Sequence, residues 1–395
     1  MTEVTLKQGE GRYLNAGGLW IYDNEIAKIE GRFRNGDIVS VKAWNGYGLG
    51  KGYINQNSKI RIRMLTRNPE EEMDELFFRE RIRNAWQYRL DTSDTSSCRV
   101  IFGEADFLPG LVADKYEDVL VFQFLTLGMD RMKEKIAALT KEVLEETGFP
   151  VRGMYERSDA SERVKEGLEK VKGFIGAPFD PCFEITENGI RYRIDVENGQ
   201  KTGFFLDQKY NRLAVRTLCR GKTVLDCFTN IGTFALNAGL AGAKEVTGLD
   251  ISASAIKEAS ENAARNGLSD RVHFREANVL DELPRLISEG AGYDVVILDP
   301  PAFTKSRESI KKAVKGYREI NMQGLRLVRP GGYLATCSCS HFMPRELFEK
   351  TVLEAAHTTH RRLRQVEART QGRDHPFLWG AEESSYLKFY IFQVW

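Results

Sequence analysis

Three places in the chain carry side chains suited to chemistry on a flat ring. The first is Asp299-Pro300-Pro301-Ala302-Phe303, which follows the apolar run 294–298 (DVVIL). A carboxylate at the carboxyl end of a parallel strand points into the cleft above the sheet. Two prolines lock the turn and remove backbone donors, and Phe303 offers a face on which a planar base can stack, with Pro300 beside it. The second is Cys337-Ser338-Cys339-Ser340, after the run 333–336. A thiol at a cleft mouth is a candidate nucleophile once its pKa is lowered. Cys339 is preferred because it lies further past the strand, whereas Cys337 still sits at the strand's end. A C-x-C pair also suits zinc, but no further Cys/His pair lies at ligand spacing, so no metal is expected. The third is Asp250, the acid that closes a strand–turn–helix–strand stretch.

That stretch, 221–250, reads GKTVLDCFTNIGTFALNAGLAGAKEVTGLD. Residues 222–226 and 244–250 are apolar runs of strand type, 227–232 is a turn of small and polar residues, and 233–241 has helical periodicity. Gly232 lets backbone approach a ligand closely, and Asp250 stands where an acid would bind ribose hydroxyls. The GxGxxG of dinucleotide sites is missing, so a nucleoside cofactor without phosphates fits better, S-adenosylmethionine foremost. The plainer reading is an ordinary buried βαβ unit with an acid at one strand end. Downstream, helix and strand patterns alternate over 252–298, which implies a doubly wound parallel sheet. Asn278 follows the third strand, where its oxygen would accept from an adenine amine.

Upstream elements must position this machinery. Residues 1–70 hold five short strand patterns separated by glycines and read as a small β-barrel. Lys7, Arg12, Lys42, Lys51, Lys59, Arg61, Arg63 and Arg67 recur along it, interleaved with Trp20, Tyr22, Trp44 and Tyr47. Cations for phosphates and flat faces for unstacked bases suit RNA; a solvated strand face over an aromatic core is the equal alternative. A helix is expected over 70–90, acids leading and arginines following, and residues 71–180 read as an α+β module. Residues 182–196 form a hairpin turning at Glu187-Asn188-Gly189. In 198–212 (NGQKTGFFLDQKYNR) the Phe204–Phe205 pair either packs over the cofactor or staples the helix that Asp207 opens.

The 395 residues carry a formal net charge of +1, so only local patches can argue for nucleic acid. No apolar run nears the roughly 20 residues of a membrane span, and the first residues lack a signal core. Six cysteines without framework spacing point to free thiols in a reducing cytoplasm.

Six stretches together resemble one family: KTGFFLDQKYNR (201–212), VLDCFTNIGTFAL (224–236), LDPPAF (298–303), GYREINM (316–322), SCS (338–340) and RDHPFLWGAEESSYLKF (373–389). They are similar to the RlmI/RlmO-type large-subunit ribosomal RNA cytosine-5 methyltransferases, over nearly the whole chain. The resemblance implies an α/β protein with three parts: a PUA-like RNA-binding barrel (1–70, opened by GGLWIY at 17–22), a central α+β domain (71–180) and a Rossmann-like doubly wound methyltransferase domain (181–395). It implies S-adenosylmethionine as cofactor, with Asp250 on the ribose and Asp226 and the backbone around Phe228 and Gly232 on the methionine end. Phe205, Asp207, Gln208, Asn278 and Asp299 are expected at the cofactor as well. Cys339 would add to a cytosine ring held by Asp299, and Arg12, Trp20, Lys51, Pro300 and Phe303 would touch RNA. The implied partner is 23S ribosomal RNA or an assembly intermediate, in the cytoplasm and without a membrane, with a homodimer left open. Two departures stand out: Cys337 where relatives often carry an apolar residue, and Asn278 in place of the usual Asp. The alternatives are methylation of an exocyclic base amine through the Asp-Pro-Pro turn, which resembles the amine motif of nucleic-acid methyltransferases, and a non-catalytic RNA-binding assembly factor.

Overall fold

The computed structural model describes residues 2–304 and 306–395. The chain folds into two compact units. One comprises Met1–Ile185, Ile194–Leu206 and Arg373–Ser384, the other Thr186–Arg193, Asp207–Gly372 and Ser385–Trp395. Among the described residues no helix is long and apolar enough to cross a membrane.

In the first unit, alternating burial builds a six-stranded sheet from Glu3–Leu6, Trp20–Tyr22, Ile26–Glu30, Ile38–Lys42, Gly48–Ile54 and Ile60–Thr66. Val4, Ile21, Val39, Ile54, Ile62 and Met64 are fully buried inside it. The strand Ile26–Glu30 was not expected. Its sequence, IAKIE, buries no residue fully and pairs antiparallel with the first strand, so it carries no strong period-2 signal. A second sheet of five strands, from Ser97–Phe102 to Val171–Ile175, is covered by the helices Glu75–Thr92 and Lys133–Glu146. The first of these starts at residue 75, not 70, because Asp74 caps it, accepting from the Phe77 N–H at 2.9 Å. Two of its arginines are spent on structure: Arg79 pairs with Glu142 and Glu146, and Arg89 is fully buried on Asp106.

The second unit is the doubly wound sheet. Its strands are β1 (Thr223–Cys227), β2 (Glu245–Asp250), β3 (Val272–Glu276), β4 (Tyr293–Leu298), β5 (Val328–Ser338), β6 (Leu363–Arg369) and β7 (Lys388–Val394). They lie in the order β3-β2-β1-β4-β5-β7-β6, parallel except that β7 runs against both neighbours. Helices α1 (Lys209–Arg216), α2 (Thr233–Leu240), α3 (Ala253–Arg265), α4 (Val279–Ser288), α5 (Ile310–Leu327) and α6 (Arg345–Thr358) accompany it. Leu225, Leu249, Val296, Leu298 and Leu334, from the four strands β1, β2, β4 and β5, are buried in a single cluster. Strand β5 begins at Val328, five residues earlier than the sequence suggests. Pro330-Gly331-Gly332 is absorbed as an irregularity, the register stepping from Tyr293↔Val328 to Val295↔Tyr333.

The hairpin Cys182–Glu187 and Ile190–Asp195 turns on Asn188 (φ 55°) and Gly189 (φ 76°). Both lie in the left-handed region, as a two-residue primed turn demands. Its tip delivers Glu187 to Arg212 of α1, two hydrogen bonds of 2.7 Å between fully buried side chains.

Candidate active site

Strands β1, β4 and β5 are neighbours, and the ends of β1 and β4 align with the last stretch of β5: Cys227 opposite Leu298, Leu298 opposite Thr336, two residues before β5 ends. The residues that follow therefore share one edge of the sheet. There Cys337 is fully buried, and its thiol donates to Asp299 Oδ1 at 2.8 Å. Burial, reinforced by the Asp299 charge, pushes the Cys337 pKa well above the ordinary thiol value. Gln208, just before α1, donates from Nε2 to the same Oδ1 at 3.2 Å and to Cys337 Sγ at 3.5 Å. Its own amide oxygen accepts from Asn211 Nδ2 at 2.6 Å, which fixes the amide's orientation. Gln208 thus holds Asp299 in place.

Cys339 is half-buried, one residue beyond the end of β5. Its loop is pinned on both sides. Ser340 Oγ donates to Thr304 O at 2.8 Å, tying the loop to the turn after Asp299, and Ser338 Oγ donates to Tyr317 of α5 at 2.9 Å. Lys388, paired with Ser338 across β5 and β7, donates from Nζ to Ser340 O at 2.6 Å and to Tyr386 O at 2.8 Å. Burial lowers the Lys388 pKa to about 8, while charge on Cys339 and Cys337 would raise it. Phe303 is half-buried with its ring 4.7 Å from that of Tyr317, so the GYREINM stretch supports one of its sides. Pro300 is buried and Pro301 exposed.

The other half of the edge is the β1–α2 turn. Phe228 (φ 65°) and Asn230 (φ 51°) both adopt the left-handed conformation there. Two such residues within one turn are a strain that surrounding structure must hold. Gly232 (φ 86°) caps α2, and a Cβ at that position would lie 2.6 Å from the Phe274 ring. Asp226 is fully buried. Its Oδ2 accepts from Thr229 Oγ1 at 2.5 Å and from the Ala235 N–H at 3.0 Å, whereas its Oδ1 has no hydrogen-bond partner among the described residues. Burial, with the nearby Asp299 and Asp250, raises its pKa to about 7. Asp250 is half-buried and is oriented by the N–H groups of Asn230 (2.9 Å) and Ser252 (3.0 Å). Asn278 is exposed and caps α4 through the Leu280 N–H at 3.2 Å. Asp207 is buried and accepts from Tyr386 OH at 2.6 Å.

The remaining expected residues lie in the first unit. Arg12 is exposed, its Nε on Gly9 O. Trp20 is half-buried, its indole N–H on Glu104 at 2.8 Å, and Lys51 Nζ reaches Glu71 O at 2.8 Å. Phe205 is half-buried beneath Lys201, whose Nζ stands 4.5 Å from the ring centre. Of the basic stripe, Arg63 is buried against Glu166 and Lys42 pairs with Glu3.

The family model for S-adenosylmethionine-dependent methyltransferases matches residues 109–374, and that of a PUA-like domain residues 4–67. Ribosomal RNA large subunit methyltransferase I of Shewanella denitrificans is 39% identical over 399 residues, covering 99% of each chain. The protein of the same name from Alteromonas mediterranea is 37% identical, covering 99% of this chain and 98% of its own. The chain belongs to the S-adenosylmethionine-dependent methyltransferase family. Two solved structures share its fold end to end, each covering 100% of both chains. One is a candidate S-adenosylmethionine-dependent methyltransferase from Streptococcus mutans, with TM-score 0.83 and 21% identity; the other, solved with S-adenosylhomocysteine, has 0.85 and 20%.

The residues present in this methyltransferase fit its cofactor. S-adenosylmethionine carries a cationic amine and a sulfonium, and a buried carboxylate oxygen without a partner is what a cation needs beside it. Asp226 Oδ1 supplies that oxygen, and Asp250 presents a carboxylate held by two backbone N–H groups. Sequence reasoning missed Lys388, Asn211 and Tyr386. For Lys388 a signal exists: it is the one charge in the run LKFYIFQV, where β-strand burial forces it to find partners.

Proposed function

We propose that this methyltransferase places a methyl group on C5 of a cytosine in large-subunit ribosomal RNA, through a covalent adduct on Cys339. What carries the reading is the contrast between two thiols two residues apart. Cys337 is enclosed and keeps its proton on Asp299; Cys339 is accessible, in a loop held by Ser340 and Lys388. The names and extents of the relatives support ribosomal RNA as substrate. The PUA-like barrel supports RNA binding by residues 1–70, leaving 71–180 as a connecting module and 181–395 for the chemistry.

In this reading the Cys339 thiolate attacks C6, forming the S–C6 bond and making C5 nucleophilic. Asp299, kept in position by Gln208, accepts from the 4-amino group and shares a proton with N3, which offsets the negative charge that addition places on the ring. Pro300 and the half-exposed Phe303 flank the ring. The bound cofactor supplies an electrophilic methyl group. Asp226 and Asp250 would bind and orient its methionine and ribose ends, with the turn 227–232 between them and Asp207 and Asn278 in the same unit. Once C5 carries the methyl group, loss of its proton to a base re-forms the C5=C6 double bond, breaks the S–C6 bond and releases the Cys339 thiolate. Nucleoside mass spectrometry of ribosomal RNA treated with the enzyme and labelled cofactor tests this. Label in 5-methylcytidine is the expected result; label on an exocyclic amine would sink the reading.

A further inference from the structure

Residues Arg373–Ser384 are a strap of coil and one 3-10 turn that returns to the first unit. It is tied down at both ends. At its start, Asp374 accepts from the Arg99 N–H at 3.0 Å and its carbonyl from Arg89 at 2.9 Å, while Tyr88 OH donates to Arg373 O at 3.1 Å. At its end, Tyr13 OH donates to Glu383 at 2.5 Å, and Gly380 packs so close to Ala16 that a Cβ would overlap its carbonyl oxygen. Leu378 is turned inward against the barrel core. Between these anchors two aromatic side chains face outward: Phe377 is 45% and Trp379 81% exposed, their rings 5.6 Å apart. Beside them Pro376 borders a cavity of about 230 Å3, also lined by Arg81, Asn84, Tyr88 and Phe107. Phe107 sits in the left-handed region (φ 58°) and stays 40% exposed, with the Arg81 guanidinium 5.3 Å from its ring.

Large apolar side chains left in water by a backbone this well anchored mark an interaction surface. The composition narrows the partner. Flat faces with an arginine stacked on one of them and an exposed amide suit unpaired bases, which stack on aromatic and guanidinium planes and bond along their edges. Aromatic anchors and arginine also serve protein interfaces, so a protein partner is the other outcome that the test below separates. We propose that the strap and the adjoining cavity form a second RNA site, a stacking platform for unpaired nucleotides of the substrate RNA, separate from the sheet edge that carries the chemistry. The proposal rests on RNA being the substrate, and not on which atom is methylated.

The test uses the full-length protein and transcribed 23S ribosomal RNA. Ultraviolet cross-linking followed by peptide mass spectrometry should place nucleotides on the peptide containing Phe377 and Trp379. Trp379→Ala and Phe377→Ala should each weaken RNA binding by about tenfold, the loss of roughly one base stack. The salt dependence of binding should keep its slope, because a base stack releases no counterions. Binding of S-adenosylhomocysteine should be unchanged, which shows the variants folded. Full RNA affinity in both variants with no cross-link would assign the platform to a protein neighbour and overturn the proposal; so would a weakening that comes entirely from a lower salt slope. A cross-link on the strap in an enzyme that forms no 5-methylcytidine would overturn the cytosine reading and leave this one standing.

Discussion

Cys337 keeps its proton because burial and the adjacent Asp299 both penalise a thiolate there. Cys339 is half-buried, in the loop whose Ser340 carbonyl accepts from Lys388. Cys339→Ala should therefore abolish methylation while leaving S-adenosylhomocysteine binding intact, and Cys337→Ala should keep most activity at a cost of about 1 kcal/mol in stability. RNA carrying 5-fluorocytosine should trap an adduct with the wild type and the Cys337 variant only; an adduct mapped to Cys337 would reverse the roles. A second prediction concerns Asp226. Its folded pKa of about 7 lies above the ordinary carboxylate value. Its contribution to the stability of the cofactor-free protein is thus fully present in acid and is lost as pH rises through about 7. A cationic cofactor needs the ionised form, so cofactor affinity should move the opposite way, weakening up to tenfold per pH unit below about 7 and levelling above it. Calorimetry across roughly pH 5.5 to 8.5 should show this profile in the wild type and a flat one in Asp226→Asn. A flat wild-type profile would detach Asp226 from the cofactor.

Elements set where these residues can stand. The β1–α2 turn was readable as a turn from its small and polar residues, but not that Phe228 and Asn230 are held left-handed in it, since nothing local requires that. The contact with Phe274 comes from β3, a distant strand in sequence, and it adds to the left-handed backbone (φ 86°) that already favours glycine at position 232. Likewise the motif KTGFFLDQKYNR was legible as a motif while its internal work was not: Arg212 serves Glu187 at the hairpin tip, and Asn211 serves Gln208. The Glu187–Arg212 pair makes a third prediction. Both side chains are fully buried, so Glu187→Gln takes from the buried guanidinium the carboxylate that bonds it twice, with Asp207 left as the nearby acid. The loss should be about 3–5 kcal/mol, read as a lower urea midpoint, whereas replacing the pair together by Met and Leu should recover much of it.

Across the whole chain, the alternating helix and strand pattern of 221–298 gave away the parallel sheet, because the central strands there are deeply buried and largely apolar. The tail was less legible. Strand β7 runs antiparallel and brings Lys388 to Ser340 of the thiol loop from 48 residues away, a pairing that local sequence does not encode. The barrel shows the limit in another form. Its basic residues are visible in the sequence, yet burial and partners decide which of them can meet a phosphate. Arg63 is buried on Glu166, Lys42 pairs with Glu3, and Lys51 and Lys7 bond backbone carbonyls. Arg12 and Lys59 stay exposed, without a carboxylate partner among the described residues, and Arg12 bonds the Gly9 carbonyl through Nε alone, which leaves its two terminal nitrogens to solvent among the described residues. If the barrel anchors RNA through phosphates, these two must contribute and Lys42 must not. Each phosphate contact removed should lower the slope of log affinity against log salt by about 0.7 to 0.9. Arg12→Ala and Lys59→Ala should each show that drop on a ribosomal RNA fragment, with cofactor binding unaffected. Lys42→Ala should leave the slope where it was and change stability little, because its pair with Glu3 is half-exposed and screened by solvent. Unchanged slopes in both the Arg12 and Lys59 variants would mean that the phosphates are met elsewhere on the chain, and that the barrel's charge serves the fold alone.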